Sequence, residues 1–205
     1  LEKTARIELH DEEVVKHFDD PALFSRELKV YQKGLPMVPP LLEHRQPFWI
    51  KVKRVEGIPY LDAGFNECTA AELATTLARF HQAFREGNRC LCHWDNQPRN
   101  ILLGDEGFFF IDFSESRQDY PEEDLTHLLI FWAAELEPNL MRLLVKAFKG
   151  AYLHLSSLDT GRWKASMITS FERYRQRRLQ FERPLHHVGS QVFAVNLRTL
   201  AGALD

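Results

Sequence analysis

Residues 90–116, CLCHWDNQPRNILLGDEGFFFIDFSES, decide how this chain is read. Asp95 is followed five positions later by Asn100, and then by two short apolar runs at 101–103 and 108–111. The link between the runs is Asp105, Glu106 and Gly107, a hairpin signal, and Asp112 follows the second run. A hairpin returns its two ends to one place, so Asp95, Asn100 and Asp112 are expected to face one cleft. Two carboxylates and an amide oxygen are hard ligands. They suit Mg²⁺, which takes few protein ligands and completes its shell with substrate phosphates. A carboxylate beside such a cation can orient a hydroxyl nucleophile. The competing reading is loop capping, since Asp and Asn often bond their own backbone in turns.

The rest of the chain bounds what such a cleft belongs to. With 205 residues it is long enough for one domain or two small lobes sharing a cleft. Apolar residues make up 44% and charged residues 27%, the balance of a globular protein able to bury a core. A net charge of −3 supplies no polybasic character for nucleic acid or membrane. No apolar run reaches membrane-span length and no signal peptide opens the chain, so a cytoplasmic location is expected. Three cysteines, Cys68, Cys90 and Cys92, make no disulfide framework and fit a reducing compartment. Cys90, Cys92 and His93 invite a zinc reading, but no second ligand pair has zinc spacing. The plainer expectation is two strand cysteines packing as small hydrophobes.

Along the chain, strand-like content at TARIEL and EEVVKHF flanks a turn-like HDE. DPALFSRELKVYQKG predicts a helix with Asp20 as cap, Pro21 at its first position and Gly34 at its end; Phe24, Leu28 and Tyr31 share a face. MVPPLLEHR and PFWIKVKRV predict a strand pair, and EGIPYLDAG a connector. A helix follows over TAAELATTLARFHQAFREG, with a capping box at Thr69 and Glu72 and a stop at Gly87. RCLCHW is a short strand or a loop entry, PEEDLTHLLIFWAAEL a helix, and everything beyond Pro138 helical, with breaks near Gly150, at 159–161 and at Pro184. The expected class is α+β: a small strand-rich lobe with one helix over residues 1–57, then a larger, mostly helical lobe over residues 58–205.

HWDNQPRN followed by IDFS resembles the catalytic loop and metal motif of the protein-kinase-like superfamily, where His-x-Asp, four residues and Asn precede Asp-Phe-Gly across a hairpin. The resemblance continues upstream. VVKHF supplies Lys16 for the small-lobe lysine, and FSRELKVY supplies Glu27 for its helical partner. VKRVEG resembles the hinge whose backbone pairs with adenine, with Lys53 and Val55 as the candidates. LARFHQAF makes His81 a buried structural histidine, and EEDLTHLL makes Asp124 a brace for the catalytic loop. The resemblance implies a two-lobed kinase-like fold, with ATP and Mg²⁺ as cofactors. It implies that Lys16 contacts phosphates, Glu27 orients Lys16, Asp95 accepts or orients the acceptor hydroxyl, and Asn100 and Asp112 hold the metal.

The chain also departs from that pattern. No glycine-rich phosphate loop precedes Lys16; about twenty residues upstream it would fall before Leu1. Trp94 stands where the motif has Arg, and Ser114 where it has Gly. Only eleven residues separate Asp112 from Asp124, too few for the segment on which protein kinases dock peptides. This points to the compact kinases: RIO-like, lipopolysaccharide (Kdo) kinase-like or aminoglycoside and choline kinase-like. The expected acceptor is a hydroxyl on a sugar, a lipid-linked saccharide or a protein serine or threonine. A pseudokinase, a kinase-shaped nucleotide-binding or scaffolding module, is the alternative; it is favoured by the missing loop and opposed by the intact Lys16, Asp95, Asn100 and Asp112. The tail FERYRQRRLQFER, in which residues 173–183 open with Arg173 and close with Arg183, holds five arginines against two glutamates. It offers a surface for a phosphate-rich acceptor or RNA. The reading preferred over it is a solvated helix face with salt-bridge spacing. His186 and His187 are adjacent, so they point apart on a helix and make no metal site.

Overall fold

The computed structural model describes residues 5–180 and 190–204. Its first layer is a four-stranded antiparallel sheet in the order β1 (Ala5–Leu9), β2 (Glu13–Phe18), β4 (Trp49–Lys53), β3 (Leu41–Arg45). The register sets Ile7 opposite Lys16 and Lys16 opposite Ile50. Helix α1 (Pro21–Tyr31) packs on this sheet. It starts where the sequence predicts: the Asp20 side chain accepts from the Ala22 amide at 2.7 Å, and Pro21 contributes a fixed φ where no intrahelical donor is needed. Phe24, Leu28 and Tyr31 are all buried on its inner face. Each such side chain contributes about 1.5–3 kcal/mol of burial.

Beyond β4 the chain crosses in irregular backbone to β5 (Ile58–Pro59), which pairs with β7 (Ile101–Gly104) and is followed by a 3₁₀ turn at Tyr60–Asp62. The stretch expected as a plain connector is therefore the edge of a second sheet, β5-β7-β8, with β8 at Gly107–Phe110. Two glycines permit this close approach. A Cβ on Gly104 would collide with the Glu56 carbonyl, and one on Gly57 would lie 3.0 Å from the Leu103 carbonyl. A further two-stranded pair, β6 (Cys90–Cys92) with β9 (Arg117–Asp119), closes the loop after Asp112; β9 carries no strand-like pattern in the sequence.

The helical layer is α2 (Glu67–Ala83), α3 (Pro121–Glu135), α4 (Pro138–Leu155), α5 (Thr160–Gln180) and α6 (Gln191–Ala201). Three boundaries differ from those expected. The cap of α2 is Asn66, whose side chain accepts from the Cys68 and Thr69 amides while Thr69 Oγ1 accepts from the Asn66 amide. Thr69 is thus the third helical residue, not the cap, and the helix ends at Ala83, before Gly87. Helix α4 runs straight through Gly150. One helical glycine costs only about 1 kcal/mol, which the buried Val145, Phe148 and Tyr152 on either side outweigh. Pro184 lies outside the described residues. Among the described residues no helix is long and apolar enough to cross a membrane.

One buried aromatic cluster joins the two layers. Phe113 is fully buried; it stacks on Phe80 of α2 at 5.8 Å and meets Tyr31 of α1 edge-on at 5.6 Å and His93 at 4.9 Å. The residue after Asp112 therefore anchors the site to both layers.

Candidate active site

The hairpin β7–β8 does what its sequence requires. Ile101 pairs with Phe110, and the Ile111 amide donates to the Asn100 carbonyl, so the chain before β7 and the chain after β8 lie side by side. Asp95 and Asp112 line one cleft, and Asn100 bonds Asp95 beside it. Asn100 ends a 3₁₀ turn at Pro98–Asn100. Its amide nitrogen donates to the Asp95 carbonyl at 2.7 Å and to Asp95 Oδ2 at 3.0 Å. With that nitrogen engaged, the amide oxygen is what Asn100 has to offer a cation. Gln97 Nε2 donates to both Asp95 oxygens at 3.0 Å.

The Asp95 loop is held from behind. Asp124 on α3 is fully buried and accepts from the His93 amide at 2.6 Å, the Trp94 amide at 2.8 Å and His81 Nε2 at 3.1 Å. Burial works to raise its carboxyl, but the bond from His81 and the nearby histidines outweigh that and hold it below the usual carboxylate range. Trp94 sits at φ +63°, a costly left-handed conformation for a bulky residue. His93 completes the loop: Nε2 bonds the Ile111 carbonyl at 2.9 Å and Nδ1 accepts the Asp95 amide at 3.2 Å. Both ring nitrogens are engaged, so His93 makes no zinc site with Cys90 and Cys92. His81 lies nearer those cysteines, but it bonds Tyr152 and Asp124, while Cys92 Sγ donates to the Tyr120 carbonyl. Cys90 and Cys92 are wholly buried in β6 and pack as small hydrophobes.

The second half of the cleft comes from the sheet. Lys16 on β2 reaches Glu27 on α1, and its ammonium lies 2.7 Å from Asp112 Oδ1. Ser114, where the motif has Gly, donates from Oγ to Asp112 Oδ1 at 2.9 Å. Three ionisable groups share this corner, one basic and two acidic. Glu27 is wholly buried, and burial pushes its carboxyl up to about 7 against the pull of Lys16. Asp112 is more open; burial raises its carboxyl too, but Lys16 and the bonds from Lys16 and Ser114 hold it well below the usual range. Burial lowers the Lys16 ammonium, and the charges of Glu27 and Asp112 reverse that and raise it. At Asp95 burial dominates and raises the carboxyl, opposed by Arg177 and His93.

Lys53 and Val55 line a mostly apolar cleft of about 230 Å³, walled by Val14, Val52 and Leu102 and ending at Lys16 and Asp112. The Lys53 amide already donates to the Pro40 carbonyl at 2.8 Å, and the Arg54 amide to the Glu12 carbonyl at 2.8 Å. Val55, past the strand, is the better placed of the two to bond a flat heterocycle through its backbone. A second cleft of about 520 Å³ opens on the other side of Asp95, between the loop and α5.

Three site residues lie outside the motif reading. Arg26 Nη1 donates to the Ser114 carbonyl at 2.6 Å and ties α1 to the segment after Asp112. Arg173 is nine-tenths buried at its side chain; it lies over the Trp94 ring at 3.8 Å, donates to the Trp94 carbonyl at 3.2 Å and pairs with Glu123 at 3.6 Å. Arg177, one turn on, forms an ion pair with Asp95. The tail is therefore only half the solvated face expected of it. Arg175 and Glu172 make an exposed pair at 2.9 Å, while Arg173 and Arg177 turn inward. The i, i+4 spacing of these two arginines was the available signal, and charge alone does not tell an inner face from an outer one. Residues 181–183, His186 and His187 lie outside the described residues.

Comparison with known proteins places this geometry. Residues 8–159 match the model of the family described as "APH: Phosphotransferase enzyme family". No curated protein matches the chain in sequence. Among solved structures, amicoumacin kinase hAmiN in complex with AMP-PNP, Ca²⁺ and Ami is 11% identical with a TM-score of 0.64, over 98% of this chain and 87% of that one. A choline/ethanolamine kinase family protein from Mesorhizobium loti is 12% identical with a TM-score of 0.59, over 98% and 90%. Aminoglycoside phosphotransferase APH(3'')-Id from Streptomyces rimosus is 14% identical with a TM-score of 0.57, over 96% and 92%. At these identities the likeness shows the fold, which is the two-lobed kinase-like one.

Proposed function

The chain belongs to the APH phosphotransferase enzyme family, and from that premise we propose that it transfers the γ-phosphoryl group of ATP to a hydroxyl on a small molecule, with Mg²⁺ as the metal. The observation that carries this reading is a continuous set of contacts drawn from a strand, two loops and a 3₁₀ turn: Lys16 bonds Asp112, Asp112 lines a cleft with Asp95, and Asn100 bonds Asp95. The donor set fits a hard cation: one carboxylate held deprotonated at Asp112 and one amide oxygen at Asn100, with room for phosphate oxygens and water. When bound there, Mg²⁺ supplies positive charge to the phosphate oxygens. Lys16, steadied by Glu27, adds an ammonium for the same oxygens. Asp95, whose carboxyl burial raises, takes the proton as the acceptor hydroxyl attacks. The bond from the γ-phosphorus to its bridging oxygen breaks, a bond to the acceptor oxygen forms, and ADP leaves. The apolar cleft beside Val55 takes the adenine.

Of the described residues, those up to 57 form the small lobe and those from 58 on the large one, and the cleft between them is the nucleotide site. A small-molecule acceptor fits better than a protein, because β9 and α3 follow Asp112 directly and leave no long docking segment. A cytoplasmic setting agrees with two buried free thiols and with ATP as donor. The test is a thermal-shift titration with AMP-PNP and Mg²⁺. Stabilisation is expected only when both are present, because ligand binding to the native state raises its melting temperature by mass action. No stabilisation, together with no ADP release from ATP, would overturn the enzyme. A shift without ADP release on any alcohol would instead favour a pseudokinase.

A further inference from the structure

Asp95 is fully engaged in this structure. Asn100 bonds Oδ2, Gln97 bridges both oxygens, and Arg177 of α5 holds Oδ1. An incoming hydroxyl needs one of these oxygens, and Arg177 is the partner that can leave. The other two are short side chains of the same loop. Arg177 is a long arm from another element, about three-tenths exposed at its side chain. It is not what docks α5 on the loop. Arg173 does that, one turn earlier, through the carbonyl and ring of Trp94, and it also pairs with Glu123 of α3. A guanidinium displaced from a part-buried carboxylate needs another anion, because leaving it unpaired there is costly. Nothing about a neutral or cationic alcohol supplies one.

The cleft beyond Asp95 is mixed in charge. Arg99 and Arg178 line it with Arg177, and its carboxylates are Asp95, Asp112, Glu115 and Glu135. Arg178 approaches Glu135 at 3.5 Å, and Asp112 turns to Lys16. A purely acidic pocket would suit a cationic acceptor; this one sets a planar, two-pronged donor at the nucleophile's own position.

We propose that the acceptor is an anionic alcohol, and that Arg177 moves from Asp95 onto a phosphate or carboxylate of that acceptor as the hydroxyl takes its place on Asp95. This rests on the phosphotransferase reading and narrows its substrate class. Arg177 is then a specificity residue: it masks Asp95 until an oxyanion draws it off.

The experiment is a matched panel on the protein loaded with AMP-PNP and Mg²⁺: glucose, glucosamine, glucose 6-phosphate and glucuronate, read by thermal shift, with ADP release from ATP as a second readout. The expected result is stabilisation by glucose 6-phosphate or glucuronate beyond that by glucose and glucosamine. In Arg177→Ala that difference falls at least tenfold in apparent affinity, and Arg177→Lys retains part of it. The two anions separate a phosphate-reading site from a carboxylate-reading one. If neither anion stabilises the wild type more than glucose does, the proposal is overturned. It is equally overturned if Arg177→Ala keeps the preference, or speeds ADP release with all four sugars alike, which would make Arg177 a plain lock. Failure of the phosphotransferase reading looks different: AMP-PNP with Mg²⁺ alone then gives no shift.

Discussion

The ammonium of Lys16 lies 2.7 Å from Oδ1 of Asp112, a residue 96 positions further along the chain. One end of that contact is set by the four-stranded sheet and the other by the β7–β8 hairpin, so it reports whether the two layers are closed on each other. Asp112→Ala removes the carboxylate proposed to hold the metal and leaves Lys16 with Glu27 alone. The expected outcome is loss of the Mg²⁺-dependent part of AMP-PNP stabilisation and loss of ADP release. Retention of Mg²⁺-dependent binding by Asp112→Ala would remove it from the metal site.

Asp95→Asn separates binding from transfer. It keeps the size of the side chain and a partner for Gln97, but it cannot take a proton. Nucleotide affinity is expected to stay within a few-fold of wild type while turnover falls roughly 10²–10⁴-fold, the usual worth of a general base. Turnover near the wild-type rate would show that the proton goes elsewhere.

Glu27 gives a pH signature. Its folded-state carboxyl, pushed by burial to about 7, lies above the ordinary 4.5, so folding disfavours its ionised form. Its contribution to stability is complete below pH 4.5 and is lost as pH rises through about 7. Glu27→Gln does not titrate. Relative to it, wild type should lose roughly 3 kcal/mol across that window, because moving a carboxyl's titration by one pH unit corresponds to about 1.4 kcal/mol. Urea unfolding of both proteins from pH 5 to pH 8 measures this. A difference that stays flat, or grows in favour of wild type, would mean that Lys16 keeps Glu27 ionised throughout.

Asp124 should matter for stability before it matters for chemistry. It accepts from two backbone amides and a histidine at a wholly buried position. Asp124→Asn turns one acceptor oxygen into a donor and sets it against a donor. A loss of about 3 kcal/mol or more is expected, since each buried polar group left unpaired costs about 1–3 kcal/mol. Denaturant midpoints at equal m-value would show it. A fall of less than about 1 kcal/mol would mean that water takes over these bonds.

Much of this was legible because it is local. Asp20 with Pro21 marks the start of α1 by capping geometry, and Asp105-Glu106-Gly107 marks a hairpin by turn chemistry. The motif spacing of Asp95, Asn100 and Asp112 follows from the hairpin that carries them. Where local signals competed, the longer-range partner won. Asn66 displaced Thr69 as the α2 cap because it satisfies two amides at once, and packing carried α4 through Gly150. Strand β9 exists only because β6 is there to pair with it, so no pattern in Arg117, Gln118 and Asp119 could announce it.

The linear order of residues by itself determined the hairpin, the start of α1 and the spacing of Asp95, Asn100 and Asp112, because each depends on neighbours a few positions apart. Which way the arginines of α5 point was decided only in three dimensions. A charged side chain has the same chemistry on an outer face as on an inner one, and only the packing of α5 across α3 brought Arg173 over Trp94 and Arg177 onto Asp95.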